Sequence, residues 1–180
     1  LVERLHPEII VELGSGTSTL VAAYQVEKNG LGKVVAIDHD QTWGGITKDW
    51  IEEHGLSQWV EVRIAPLVPI EISDRLYYWY DLKVLDDVEK IDLLLIDGPP
   101  DRNGLGKRYP ALPLLADRLS ASGIIIVDDC KMLRWKTIVL EWASTNGFVV
   151  ESRFLNEKDT LFLRRCEMAQ IESGSKQKSS

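Results

Sequence analysis

Ile9-Ile10-Val11-Glu12-Leu13-Gly14-Ser15-Gly16-Thr17-Ser18-Thr19-Leu20 decides how the rest of the chain is read. An apolar run interrupted only by Glu12 enters two glycines one residue apart, and three hydroxyl-bearing residues follow. That pattern is a buried strand turning through glycine into a helix, the arrangement by which α/β proteins present backbone N–H groups to a ligand. The G-x-G spacing is kept, but the third glycine of the dinucleotide fingerprint would stand at position 19, which is Thr19. Taken alone, the turn also fits a tight strand-to-helix connection with no ligand.

Upstream, Leu1 to Glu8 reads as the end of a helix closed by Pro7. Downstream, a helix capped by Thr17 or Ser18 runs to about Glu27 and stops at Asn29-Gly30 and Gly32. Lys33 to Asp38 is the second strand. Ile46, Trp50, Ile51 and His54 recur at helical spacing within Trp43 to His54, with Gly55 as the breaker. Trp59 to Ile64 is the third strand, ended by Ala65-Pro66-Leu67 because proline cannot donate to a central ladder. Val68 to Asp87 has no clean period; its centre, Leu76 to Leu82, suits a helix or a loop over a pocket.

Ile91 to Asp97 is almost unbroken in its apolar character, as in a parallel strand covered on both faces, and it stops hard at Gly98-Pro99-Pro100. A loop from Asp101 to Lys107, a helix from about Pro110 to Leu119 and a strand from Gly123 to Asp128 follow. Lys131 to Asn146 carries Met132, Trp135, Ile138, Val139 and Trp142 on one helical face. Phe148 to Phe154 and Thr160 to Arg165 then form a closing hairpin. Strand and helix alternate five times, which with right-handed crossovers predicts a doubly wound, Rossmann-like, mostly parallel α/β sheet. Its ligand crevice lies at the carboxyl ends of the strands. One domain is expected over residues 1–165 and a disordered tail over 166–180.

Bulk properties narrow the partners. A chain of 180 residues buries roughly two-thirds of its unfolded surface, enough for one unstapled core. With 21 Lys plus Arg against 28 Asp plus Glu, the net charge of −7 has the wrong sign for a phosphate-neutralising surface, so nucleic acid is not expected as a partner. No apolar run is long enough to span a membrane. Cys130 and Cys166 have neither metal nor disulfide-framework spacing and read as reduced thiols of a cytoplasmic protein. The chain opens on Leu1 with no initiator Met, which leaves room for upstream sequence, a leader included. Nothing in the sequence speaks to oligomeric state.

The polar residues at the strand ends are the candidates for chemistry. Glu12 is costly to bury in an apolar strand unless a partner needs it, and a cationic ligand would be one. Asp38 closes the second strand 22 residues beyond Gly16, the interval at which an acid meets ribose hydroxyls; its alternative role is a helix N-cap. Asp97 ends the fourth strand and Asp128-Asp129 the fifth, so three carboxylates meet at one rim. They repel unless a cation neutralises them, and oxygen-rich sites suit Mg²⁺, Ca²⁺ or Mn²⁺. A bland alternative has Asp128 or Asp129 capping a helix and Asp97 bracing the Gly-Pro-Pro turn.

Val11-Glu12-Leu13-Gly14-Ser15-Gly16-Thr17-Ser18 with Val35-Ala36-Ile37-Asp38 resembles the first two motifs of class I S-adenosylmethionine-dependent methyltransferases, and the resemblance continues through Ile91–Pro100 and Ile124–Asp129. It implies a seven-stranded sheet with its last strand antiparallel. It implies further that Gly14, Ser15, Gly16 and Ser18 receive the methionine part of S-adenosylmethionine, with Glu12 near its amino group, Asp38 on the ribose and Asp97 at the same site. His39, Ala65, Pro66 and Leu67 stand where that family builds its adenine slot.

Asp97, Asp128 and Asp129 match one for one the metal acids of the metal-dependent O-methyltransferases, the catechol type and the macrolide- and aminocoumarin-sugar type. That implies a divalent cation polarising an acceptor hydroxyl. The catechol type has a lysine base three residues after its first metal acid; here that position is Pro100. Asp101 and Lys131 are the alternative bases. Asp-Gly-Pro-Pro is also similar to the Asp-Pro-Pro-Tyr run of amino-group methyltransferases but lacks its aromatic residue. Tyr77 to Tyr80, Arg108 and Tyr109 are candidate walls for a small-molecule acceptor. Two further readings are a nicotinamide-dependent oxidoreductase and a non-catalytic binding module of the same fold.

Overall fold

A computed structural model describes residues 1–100, 107–131, 133–154 and 159–166. After a short helix α1 (Val2–Leu5), the chain runs β1 (Ile9–Leu13), α2 (Thr17–Asn29), β2 (Lys33–Asp38), α3 (Gln41–Glu53) and β3 (Val60–Ile64). It continues β4 (Leu67–Ile72), β5 (Arg75–Tyr80), β6 (Ile91–Ile96), α4 (Ala111–Leu115), β7 (Leu119–Val127), α5 (Leu133–Thr145), β8 (Phe148–Phe154) and β9 (Thr160–Arg165). Seven strands form one sheet in the order β3-β2-β1-β6-β7-β9-β8. The first five of that order pair in parallel, and the last strand in sequence, β9, pairs antiparallel with both β7 and β8, as the resemblance implies.

The period of two along each strand sorts the core onto two faces. Ile10 of β1, with Val34, Ala36 and Leu93, packs under α2 and α3 through Ala23, Val26 and Ile51. Val11 and Leu13 belong to the opposite face, with Leu94, Ile96, Ile125 and Val127 beneath Leu112, Trp135 and Trp142 of α4 and α5. The chain winds outward from β1 to β3, then crosses back to place β6 on the other side of β1. That switch point fixes the crevice at the ends of β1 and β6.

The structure departs from the sequence expectation in three elements. Leu76 to Leu82 is neither helix nor loop: Arg75–Tyr80 pairs antiparallel with Leu67–Ile72 as a separate two-stranded ribbon, and a 3₁₀ turn at Leu82–Leu85 follows. The ribbon turns on Ser73 and Asp74, both at positive φ (49° and 60°), a hairpin geometry usually announced by Asn-Gly or Asp-Gly. Pro69 is tolerated because a two-stranded ribbon has only edge strands. The helix expected over Pro110–Leu119 is shortened to Ala111–Leu115 plus a 3₁₀ turn, and β7 begins at Leu119. Its pairing with β6 is irregular, since Ile91 meets Leu119 while Leu93 meets Ile124, and the extra residues bulge around Gly123. Finally, α3 starts at Gln41, capped by Asp40, whose carboxylate accepts from Thr42 and Trp43 N–H at 2.8 and 3.1 Å. Asp38 is not the cap. No described helix is long and apolar enough to cross a membrane. The expected tail beyond Cys166 lies outside the described residues.

Candidate active site

Gly14 follows β1 with φ at 94°, a conformation that favours glycine. A Cβ there would lie 3.2 Å from the Gly98 nitrogen, so the ends of β1 and β6 meet backbone to backbone. Gly98 is confined from its other side, where a Cβ would come within 2.3 Å of the Tyr80 hydroxyl. The glycines let the two strand ends pack closely, and the N–H groups of the turn are already taken. Gly14 N–H donates to the Ile37 carbonyl (2.9 Å), Ser15 N–H to Asp38 Oδ2 (3.0 Å) and Gly16 N–H to Thr19 Oγ1 (2.9 Å).

Asp38 is the polar centre of this region. It is buried at the end of β2, and its Oδ2 accepts from both the N–H and the hydroxyl of Ser15 (3.0 and 2.8 Å) while Oδ1 accepts from Asp40 N–H (2.9 Å). A carboxylate has about four lone-pair sites; these bonds take three of them, and His39 Nδ1 stands 3.5 Å from Oδ1. A cavity of about 450 Å³ opens beside it. Gly14 and Ser15 after β1, Asp38 and His39 at β2, and Trp43 of α3 line it, as do Tyr80 of β5, Asp97, Gly98 and Pro100 after β6, Arg108, and Asp129 after β7. The volume falls in the ~300–1,000 Å³ range of small-molecule and cofactor sites.

The buried Tyr80 hydroxyl in this lining has no hydrogen-bond partner, and His39 Nδ1, also without a hydrogen bond, lies 3.5 Å from Asp38 Oδ1. Burial, reinforced by the Asp38 carboxylate, raises the Tyr80 phenol far above its ordinary value, so it remains a neutral donor. A buried donor left unpaired costs about 1–3 kcal/mol, and such groups mark places where a ligand completes the bonding.

The expected site residues divide. Gly14, Ser15, Asp38, His39, Asp97 and Asp129 share the cavity; Arg108, read from sequence as a pocket candidate, joins them and is buried rather than solvated. Glu12 points to the α2 face, where its carboxylate accepts from the Ser18 and Thr19 hydroxyls; Glu12 and Ser18 line a second cavity beside α2, and neither they nor Gly16 line the first. Of the expected adenine slot only His39 lines the cavity; Ala65, fully buried, instead donates its N–H to the Asp38 carbonyl (2.7 Å). Lys131 is exposed and does not line the cavity. Asp101 lies outside the described residues. Trp43, 62% exposed at the start of α3, was not anticipated, because one aromatic at a helix start carries no periodic signal.

The three aspartates do not converge on a cation, which corrects the metal expectation. Arg108 stands between two of them, its Nη2 donating to Asp97 Oδ1 (3.4 Å) and Asp129 Oδ2 (3.2 Å). The Asp128 carboxylate accepts from the Thr160 hydroxyl of β9 at 2.7 Å. Among the described residues no group of three or more His, Cys, Asp or Glu is placed to hold a metal ion. The donor set does not fit the divalent ion that the sequence pattern suggests.

Comparison with known proteins gives a consistent fold. A family model described as a methyltransferase domain matches residues 11–130. No curated protein matches the chain by sequence. A methyltransferase from Geobacter sulfurreducens superposes with a TM-score of 0.65 at 16% identity, covering 91% of this chain and 74% of its own. The O-methyltransferase TomG from Streptomyces achromogenes, involved in tomaymycin synthesis and solved in complex with SAM, gives 0.64 at 11%, covering 92% and 76%. A ribosomal protein L11 methylase from Lactobacillus delbrueckii subsp. bulgaricus gives 0.58 at 17%, covering 89% and 71%. At such identities the likeness speaks to the fold, and these relatives differ in what they methylate.

Proposed function

Because the chain belongs to the methyltransferase-domain family whose model spans its residues 11–130, we propose that the cavity takes S-adenosylmethionine and that the protein methylates a hydroxyl oxygen of a small molecule. Membership of that family sets the nicotinamide-dependent alternative aside. The observation that carries the reading is the cavity lining: a close-packed glycine turn between two strand ends, the buried Asp38 carboxylate with His39 beside it, and the Tyr80 hydroxyl without a partner.

When bound, S-adenosylmethionine supplies a methyl group already made electrophilic by its sulfonium. Gly14 and Gly98, packed backbone to backbone, would form the floor beneath its methionine part, and Asp38 would accept from a ribose hydroxyl beside Ser15. His39 Nδ1 and the Tyr80 hydroxyl hydrogen-bond the polar groups of the buried ligand, and Trp43 covers it with an apolar surface. On the acceptor side, Asp97 takes the hydroxyl proton as the oxygen becomes the nucleophile. The protein's main contribution is orientation, which is worth up to ~7–11 kcal/mol for well-aligned reactants. The overall charge of −7 favours a small acceptor over nucleic acid.

Titration calorimetry tests this directly. The wild type is expected to bind S-adenosylmethionine saturably, and Asp38→Asn to bind it about 10–100-fold more weakly, as losing a hydrogen bond to a charged group costs about 1.5–3 kcal/mol. A folded wild type that takes up no S-adenosylmethionine overturns the proposal.

A further inference from the structure

We propose that the Arg108 guanidinium is the resident cation of the acidic rim, occupying the place between Asp97 and Asp129 that a divalent ion would need, so that methyl transfer here runs without a metal. The clause on methyl transfer rests on the proposed function; the clause on the cation rests on geometry alone.

Four oxygens surround this one side chain. Nη2 donates to Asp97 Oδ1 (3.4 Å) and Asp129 Oδ2 (3.2 Å), Nη1 to the Asp128 carbonyl (3.1 Å), and Nε to the Pro99 carbonyl (3.4 Å). Two carboxylates and two carbonyls make the oxygen-rich shell that hard divalent cations prefer. Here that shell is spaced for the planar fork of a guanidinium, whose donors sit about 3 Å from their acceptors, and not for the ~2.0–2.6 Å of Mg²⁺ or Ca²⁺. The chain after β6 and the chain after β7 are both tied to the same group, so Arg108 fixes the two strand ends against each other.

A metal cannot simply be added. A divalent cation placed among these oxygens would face the fixed positive charge of Arg108 at close range. The Arg108 side chain is only 7% exposed, so it has no solvated position into which to withdraw without giving up its bonds. An unpaired buried charge is strongly unfavourable, which holds the guanidinium where it is. The third acid that would complete a metal site is committed elsewhere, since Asp128 accepts from the Thr160 hydroxyl of β9.

The consequence reaches the acceptor. A rim neutralised by arginine does not ask for two adjacent acceptor oxygens to chelate an ion; one nucleophilic oxygen beside Asp97 suffices. Arg108 acts as a positioning residue, holding Asp97 and Asp129 at fixed places on the cavity wall.

Mn²⁺ titration followed by electron paramagnetic resonance reads the cation clause without any acceptor or cofactor. Wild-type protein is expected to show no saturable Mn²⁺ site at millimolar concentration. Arg108→Met, which keeps the side-chain volume and removes the charge, is expected to acquire one that Asp97→Asn abolishes; if Arg108→Met does not fold, Arg108→Gln replaces it. Saturable Mn²⁺ binding by the wild type that is lost in Asp97→Asn or Asp129→Asn overturns the inference, and so does a folded Arg108→Met with no Mn²⁺ site. S-adenosylmethionine calorimetry on the same wild-type samples, with and without EDTA, keeps the two claims apart. Binding unchanged by EDTA is expected. Absence of cofactor binding would remove the proposed function and leave the Mn²⁺ result to decide the role of Arg108.

Discussion

Between β1 and α2, the Glu12 carboxylate is 1% exposed and accepts hydrogen bonds from the Ser18 and Thr19 hydroxyls. Burial raises its pKa from the ordinary 4.5 to about 7, opposed by those two hydroxyls and reinforced by Asp97 and Asp38. A carboxyl that binds its proton more tightly in the folded state stabilises the fold while protonated. That contribution is complete below about pH 4.5 and is lost as pH rises through about 7. At 1.36 kcal/mol per pKa unit it amounts to about 3 kcal/mol. Glu12→Gln keeps the shape and removes the titration. Urea unfolding from pH 4.5 to 8 is therefore expected to show the wild type losing stability relative to Glu12→Gln as pH rises, with the variant the more stable at pH 8. Parallel pH profiles for the two proteins would contradict this assignment. The expense of burying this acid was readable from its place in an apolar strand. Its partners were not, because Ser18 and Thr19 become its donors only once α2 folds back over β1.

The β4–β5 ribbon divides its residues by end. Trp79 is fully buried and Tyr80 nearly so, while Leu76 and Tyr78 are 65% and 58% exposed, and Tyr77 stacks on Tyr109 with ring centroids 5.4 Å apart. The buried end anchors the ribbon to the core; the exposed end stands clear of it. Trp79→Ala is expected to destabilise the protein by about 3–5 kcal/mol in urea unfolding, the usual result for emptying a large aromatic site. Leu76→Ser is expected to stay within about 0.5 kcal/mol of wild type, as surface changes do. Equal effects would mean that the ribbon packs differently from this description. Sequence did identify the aromatic cluster as a candidate pocket wall, and Tyr80 indeed lines the cavity. The strands themselves were hidden because Ser73-Asp74 adopts positive φ without the glycine that normally reveals such a turn.

At the scale of the whole molecule, the parallel sheet was legible because its strands are apolar runs bounded by Gly, Pro and Asp, and these fix both the switch point and the crevice. Asp38 and Gly14 were legible for the same reason, being strand-end residues whose position follows from topology. What lay beyond a linear reading was pairing between distant segments: Gly14 against Gly98, the Tyr80 hydroxyl against Gly98, and Arg108 between Asp97 and Asp129. Such contacts depend on the exact meeting of elements brought together only by the completed fold. The central claim is that this meeting place is a cofactor site, and a crystal structure of the protein with S-adenosylhomocysteine tests it most directly. The account predicts density over Gly14 and Gly98 with a ribose hydroxyl at Asp38. An empty cavity at saturating S-adenosylhomocysteine, or ligand on the Glu12 side of the sheet, would contradict it.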